Sequence, residues 1–188
     1  MEAQCLAANH GPRPGRTGFT AGFLRHLSPA FLLMEHLISS LAGSLRAYQG
    51  GFLQLLISPA QTGGQLALLD FTLPQGSEPP RHRHTREDET FYVLEGQVRF
   101  EIGDAVVVAE AGQAVFAPRG LDHLFAIQSP QARLLTLITP GEFSGYFLEF
   151  STPIAQAPAQ LRAPQGPPLP EVLAQMLASA AGYGVQFA

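Results

Sequence analysis

The sequence predicts an all-β fold, either a β-sandwich or a jelly roll, for the central part of this 188-residue chain. Short apolar segments follow one another at close intervals between residues 52 and 139, and Gly and Pro residues separate them. This spacing is typical of short antiparallel strands joined by tight turns. The length and a hydrophobic content of 46% suit one domain with a sizeable core.

Each strand is predicted from an apolar or alternating segment that ends at turn residues. The connections around Gly96 and Gly103 are typical of hairpin turns. The predicted strands lie near 52–57, 65–73, 80–84, 90–95, 98–102, 105–109, 114–117, 123–128 and 133–139.

The segments on either side of these strands show other patterns. Residues 1–33 are rich in Gly, Pro and Arg, which predicts a disordered lead. The predicted β-barrel domain covers 34–150 and includes an N-terminal helix near 30–42, where leucines recur at helical spacing. Residues 151–188 predict a Pro-rich linker followed by a final helix at 171–181.

A short helix is also predicted at 142–150. Its aromatic residues Phe143, Tyr146, Phe147 and Phe150 share one helical face. This face is predicted to cover the barrel by packing, and a substrate-binding role for the same rings is the alternative.

Composition and charge argue against several classes of function. The net charge is −4 and all 11 basic residues are arginines, so the chain offers no electrostatic reason to bind nucleic acid. No apolar segment is long enough to span a membrane. Cys5 is the single cysteine, which rules out an intramolecular disulfide, and a reducing cytoplasm is the expected location.

The candidate metal ligands are three histidines and one glutamate in two separate segments. His82 and His84 are two positions apart, so in a strand both side chains point to the same face. The polar residues 85–88 are predicted to turn the chain before Glu89 opens the next strand, and His123 comes from a distant strand. Imidazole and carboxylate groups suit a divalent first-row metal, and this set leaves coordination positions open for a reaction.

Three neighbouring acids, Glu87, Asp88 and Glu89, compete to be the carboxylate ligand. The register that points Glu89 inward also points the apolar Phe91 and Val93 inward, whereas an inward Asp88 brings more polar residues with it. Glu87 shares the parity of Glu89 but lies nearer the turn. The alternation therefore predicts Glu89.

Both segments resemble the two sequence motifs of the cupin superfamily. The first motif is a glycine, five residues, His-x-His, three or four residues, a glutamate, six residues and a glycine. The second is a glycine, five residues, Pro-x-Gly, two residues, a histidine, three residues and an asparagine. The matching positions are Gly76, His82, His84, Glu89, Gly96, Gly112, Pro118, Gly120 and His123. Ile127 stands where the family usually has the asparagine, and the resemblance covers about residues 52–140.

The resemblance implies a cupin jelly-roll barrel, a double-stranded β-helix, with one divalent metal ion held by His82, His84, Glu89 and His123. Iron, manganese, nickel, copper, cobalt and zinc all accept this ligand set. The sequence around Glu89 and at 139–143 is similar to that of single-domain cupins called quercetin-dioxygenase-like, in which the ligand glutamate also serves as a base. That similarity implies a catalytic role for Glu89.

The first functional hypothesis is a metal-dependent dioxygenase, an oxidoreductase that acts on a small apolar or phenolic molecule such as quercetin or another flavonoid. One alternative is a sensor or storage cupin that binds a small molecule without turnover. Another is a cupin isomerase or decarboxylase, which a second base beside the metal would favour; the sequence identifies no such base. Inward parity predicts an apolar substrate pocket formed by Phe91, Val93, Phe116, Phe125 and Ile127.

A homodimer is expected as well. Single-domain cupins are similar to one another in pairing through sheet edges, and the apolar strand predicted at 52–57 would leave an exposed edge. The expected partners are a small-molecule substrate or ligand and a second copy of the chain, with no nucleic acid and no membrane.

Overall fold

The computed structural model describes residues 45–188, which form short strands and three helical segments. The strands are β1 (Leu45–Tyr48), β2 (Gly51–Ile57), β3 (Ala67–Pro74), β4 (His82–His84), β5 (Asp88–Glu95), β6 (Gln97–Ile102), β7 (Ala105–Glu110), β8 (Ala114–Ala117), β9 (His123–Ile127), β10 (Gln131–Thr139), β11 (Thr152–Pro153) and β12 (Val185–Phe187). The helices are a 3-10 helix (Pro59–Thr62), α1 (Ser144–Glu149) and α2 (Pro170–Tyr183). No helix within this range is long and apolar enough to cross a membrane.

Two predictions concern residues that the structure does not describe. The disordered lead at 1–33 and the helix near 30–42 both lie outside the described residues. The proposed domain limits at 34–150 and 151–188 stay predictions.

The strands form two antiparallel sheets. One has seven strands in the order β11-β1-β2-β3-β10-β5-β8, and the other has five in the order β12-β4-β9-β6-β7. Every strand predicted between residues 52 and 139 is present, with ends within two residues of the predicted ones. The prediction of an all-β jelly roll is confirmed.

Alternation of exposed and buried side chains builds the core between the sheets. Along β10, Ala132, Leu134, Thr136 and Ile138 are buried, while the residues between them are less buried. Each large apolar side chain removed from water in this way contributes about 1.5–3 kcal/mol. The largest fully buried apolar side chains are Phe100, Leu53, Leu69, Ile127, Leu134, Ile138, Val93 and Val98.

Strand β2 is not an edge strand. It pairs with β1 on one side and with β3 on the other. The exposed-edge reason for expecting a homodimer through 52–57 is therefore wrong, because β1 was not foreseen. The homodimer itself stays a prediction.

The C-terminal segment adds a helix and a strand to the barrel. Helix α2 extends to Tyr183, beyond the predicted end, and Gly184 caps it in the left-handed region at φ 89°. A Cβ atom at Gly184 would lie 2.5 Å from Thr85 Oγ1, so only glycine fits this close approach. The chain then pairs as β12 with β4, which carries two of the predicted metal ligands.

Candidate metal centre

The four predicted ligands come from three strands and from both sheets. His82 and His84 lie on β4, His123 lies on β9, and both strands belong to the five-stranded sheet. His82 is directly opposite His123 in the antiparallel register. Glu89 comes from β5 of the seven-stranded sheet. The cluster therefore spans the interior between the sheets.

The structure brings all four side chains together. One nitrogen or oxygen atom from each of His82, His84, Glu89 and His123 lies within 4.8 Å of the others. Glu89 Oε2 is 3.3 Å from His84 Nε2 and 3.2 Å from His123 Nε2. The centroids of the His82 and His123 rings are 4.5 Å apart.

Hydrogen bonds orient two of the imidazoles. His82 Nδ1 donates to the carbonyl oxygen of Pro80 at 2.9 Å, and His123 Nδ1 donates to that of Leu121 at 3.2 Å. Because a carbonyl oxygen can only accept, the proton of each neutral ring is on Nδ1 and Nε2 keeps its lone pair. In this tautomer Nε2 of each ring carries the lone pair and can act as a ligand, and that of His123 faces Glu89 Oε2 at 3.2 Å.

His84 is oriented by a carboxylate. Its Nδ1 lies 3.5 Å from Glu87 Oε2, and both side chains are almost completely buried. Neither nitrogen of His84 has a hydrogen-bond partner within 45–188, and neither does Glu87 Oε2. Glu87 is thus the outer neighbour of His84, on the side away from Glu89.

Charge within the cluster shifts the pKa values in opposite directions. Burial lowers the pKa of His82 to about 4. Burial acts the same way on His84, but the carboxylates of Glu89 and Glu87 outweigh it and raise the pKa of His84 to about 9. Burial would raise the pKa of Glu89, but His84 and His123 outweigh it and hold that pKa well below its usual range.

The third candidate acid, Asp88, points away from the cluster. Its carboxylate accepts hydrogen bonds from the Arg119 backbone N–H at 2.8 Å and from the Arg119 side chain at 2.7 and 3.0 Å. These bonds with Arg119 lower the pKa of Asp88. The alternation argument that favoured Glu89 over Asp88 agrees with this placement.

Gly120 of the second motif ties the two histidine segments together. Its N–H donates to the carbonyl oxygen of His84 at 2.8 Å. Its φ of 83° lies in the left-handed region, which a residue with a side chain rarely adopts. The loop that leads to His123 is therefore fixed against the strand of His84.

The buried cluster fits a divalent metal. Two ligands on opposite sides of such an ion lie about 4.2 Å apart when each bond is about 2.1 Å. The observed limit of 4.8 Å therefore needs only a small adjustment. His84 Nε2 is a buried donor or acceptor without a hydrogen-bond partner among residues 45–188, and a metal would satisfy it.

A cavity of about 380 Å³ opens beside the cluster. His82 and Glu89 line it, and most other lining side chains are aromatic or aliphatic. Part of its wall comes from the C-terminal segment, including Met176, Leu177 and Phe187. The volume falls in the usual range for small-molecule pockets, about 300–1,000 Å³.

Two of the five predicted pocket residues, Phe91 and Phe125, lie on the wall of this cavity. Val93 and Ile127 point inward as expected, but they are 0% and 1% exposed and pack in the core, away from the cavity. Phe116 is 57% exposed, so its predicted place in the pocket is wrong. In β8 the neighbours Val115 and Ala117 face inward instead.

Several cavity residues were not predicted from the sequence. They lie in β1, β10, α1 and the C-terminal segment, and include Tyr48, Thr136, Tyr146, Leu173 and Val185. The sequence did identify one of these groups as an aromatic helical face at 142–150. Its residues Phe143, Tyr146 and Phe147 pack together, and they also line the cavity. The tail residues gave no local signal, since their position depends on long-range pairing.

We expect the exchange of Glu87 for glutamine to weaken metal binding about 10- to 100-fold, because outer partners of ligand histidines set their orientation and basicity. Titration of metal-depleted protein with zinc measures the change. Glu95→Gln, an exposed carboxylate on β5, is the matched control and should leave the affinity unchanged. Equal affinities for both variants would show that Glu87 does not act through His84.

Part of the chain matches a known protein family. Residues 69–138 match the cupin domain family. Quercetin 2,3-dioxygenase from Bacillus subtilis (strain 168) is 24% identical over 100 residues, which cover 53% of this chain and 30% of that relative. The aligned part of this chain thus spans less than a third of the relative's length.

Solved structures of similar fold include a predicted oxalate decarboxylase from Thermotoga maritima, with 23% identity, a TM-score of 0.47 and coverage of 54% of this chain and 96% of that chain. An oxalate decarboxylase from Bacillus subtilis shares 23% identity with a TM-score of 0.48, over 56% of this chain and 29% of that chain. The family match at 69–138 contains both motifs and all three strands that carry the four clustered side chains, β4, β5 and β9. Residues 69–138 of this chain are therefore a cupin domain.

Proposed function

We propose that this cupin is a metal-dependent dioxygenase that acts on a small, uncharged, apolar or phenolic molecule. The proposal rests on the direct connection between the metal-binding cluster and the apolar cavity. The buried cluster of three histidines and one glutamate opens, through His82 and Glu89, into a cavity with mostly apolar walls. The similarity to a quercetin 2,3-dioxygenase supports the same reaction class.

The proposed ligands are His82, His84, Glu89 and His123. When bound, a redox-active divalent metal supplies open coordination positions where a substrate oxygen and O₂ are brought together. The protein contributes the orientation of the imidazoles, through Pro80, Leu121 and Glu87, and the removal of the cluster from bulk water.

Glu89 is proposed to act as a base as well as a ligand. Its Oε2 faces two imidazoles at 3.2 and 3.3 Å, and its side chain also lines the cavity. A carboxylate in this place can accept the proton of a substrate hydroxyl group, since a base must lie within hydrogen-bond reach of the proton that it removes.

The walls of the cavity favour an uncharged substrate. Among the described residues that line it there is no arginine and no lysine, and the acids are Glu78 and Glu89. Both oxygens of Glu78 are occupied, because they accept hydrogen bonds from the backbone N–H groups of Ile127 at 2.7 Å and Gly76 at 2.9 Å. Apart from the proposed metal ion, a negatively charged substrate would find no countercharge among these side chains, which favours an uncharged substrate.

The test is oxygen consumption after metal exchange. Metal-depleted protein is reloaded with iron, manganese, nickel, copper, cobalt or zinc and screened against flavonoids, catechols and diketones. We expect O₂ uptake with at least one redox-active metal and none with zinc, because zinc has no second oxidation state to offer.

The control for this screen is His84→Ala treated with the same metals, which should show no uptake above background. If wild-type protein binds every redox-active metal and consumes no oxygen with any substrate, the dioxygenase proposal fails. Tight binding of a panel compound without turnover would then favour the sensor or storage alternative.

A further inference from the structure

Tyr48 is a cavity residue from outside the matched cupin region. It is the last residue of β1, it is partly buried, and its side chain lines the cavity together with Glu89. The family match begins at residue 69, so β1 lies outside the matched region.

The hairpin turn after β1 fixes the position of Tyr48. Gln49 and Gly50 form a two-residue turn with φ values of 46° and 78°, and Tyr48 pairs with Gly51. A Cβ atom at Gly50 would lie 1.9 Å from the carbonyl oxygen of Arg162, and the Arg162 N–H donates to Gly50 at 3.1 Å. The turn is thus held against a second segment and cannot shift freely.

Aromatic packing fixes the ring of Tyr48 and connects it to the metal cluster. Its centroid is 6.1 Å from Phe71 and 5.7 Å from Phe147. Phe147 is 5.0 Å from Phe143, which is 4.6 Å from His84. Two intervening rings therefore connect Tyr48 to a proposed ligand.

The ring of Tyr48 packs against the hydrophobic core. Its hydroxyl group has no hydrogen-bond partner among residues 45–188. Burial, with smaller contributions from Tyr146 and Glu89, raises the pKa of Tyr48 above its ordinary range. The phenol therefore keeps its proton and is a donor. A phenol donor at the cavity wall without a protein partner can donate to a bound molecule.

We propose that Tyr48 is a substrate-binding residue that donates a hydrogen bond to a hydroxyl or carbonyl oxygen of an otherwise apolar ligand. This inference rests on the proposed function for its substrate class and deepens it. The cavity would select aromatic molecules that carry an oxygen on the side facing β1 over hydrocarbons of the same shape. Hydrogen bonds to ligands discriminate in this way because a missing partner leaves the protein group unpaired.

Binding of 2-naphthol and naphthalene, two probes of nearly the same shape, tests the proposal. Both are titrated into metal-free and zinc-loaded protein, so turnover is not needed. We expect the wild type to bind 2-naphthol about tenfold more tightly than naphthalene, and Tyr48→Phe to lose most of this preference while it keeps its ring packing and metal content.

Tyr92→Phe is the matched control. Tyr92 is 41% exposed on β5 and does not line the cavity, so this variant should keep the wild-type preference. A second readout uses ¹³Cζ-labelled tyrosine: the chain has four tyrosines, and the resonance assigned to Tyr48 by its absence in Tyr48→Phe should shift more with 2-naphthol than with naphthalene.

A wild type without preference, an unchanged preference in Tyr48→Phe, or no selective tyrosine shift would each overturn the assignment of Tyr48. Loss of oxygen uptake with every metal, with the Tyr48-dependent preference intact, would instead overturn the dioxygenase function and leave the binding role standing.

Discussion

Replacement of His84 with alanine is expected to weaken metal binding more than about 100-fold. Loss of a residue that only orients a ligand costs up to about 100-fold, and loss of the ligand itself should cost more. His84 is 1% exposed, and its Nε2 faces the centre of the cluster. The variant also leaves the buried carboxylates of Glu87 and Glu89 without this imidazole. We therefore expect a fold that persists with a free energy of unfolding lower by about 1–3 kcal/mol. Metal analysis and thermal denaturation measure the two effects.

Arg83→Ala is the control, because it changes a residue of β4 that is not a proposed ligand. Arg83 lies between the two histidines, but its side chain is partly exposed and its Nε lies 3.3 Å from Asp122. We expect normal metal content in this variant. Metal content that is the same in both variants would refute the assignment of His84 as a ligand.

Ending the chain after Tyr183 is expected to weaken metal binding about 10- to 100-fold, although every ligand remains. The deletion removes β12, whose residues Val185 and Phe187 pair with His84 and His82. Strand β4 would then pair only with β9, through a single register position. A strand of three residues held on one side alone cannot keep two ligands in place. Zinc titration of the shortened protein measures the loss.

Phe187→Ala separates backbone pairing from side-chain contact. The Phe187 ring lies 6.0 Å from the His82 ring, but β12 can pair with β4 without it. We expect this variant to keep most of the metal affinity. Wild-type affinity in the shortened protein would mean that β4 is ordered without β12.

The parity of a strand was enough to predict which side chains meet in the interior. His82 and His84 point to one face, and the register that places Phe91 in the interior does the same for Glu89. This prediction depends only on local alternation, which the backbone enforces. The strand ends are also set locally, because β5 and β6 end immediately before the turn residues Gly96 and Gly103.

Local alternation fails where both faces of a strand are apolar or where a partner is remote. The sequence of β8 is Ala-Val-Phe-Ala, so either parity gives an apolar face, and Phe116 was assigned to the wrong one. Strands β1 and β12 are short and gain their structure from pairing with β2 and β4. The cavity wall built by these strands could not be read from the local sequence, because it forms only when distant segments meet.

The pairing of β4 with β12 also sets an order of events during synthesis. Thr85, directly after β4, bonds to Gly184, and the two residues are 99 positions apart in the chain. At about 5–20 residues per second, a ribosome needs several seconds to pass from one to the other. In that interval His82, His84 and Glu89 are already present, but the strand that aligns the two histidines is not. We therefore expect the nascent chain to bind the ion only weakly until most of the barrel has been made.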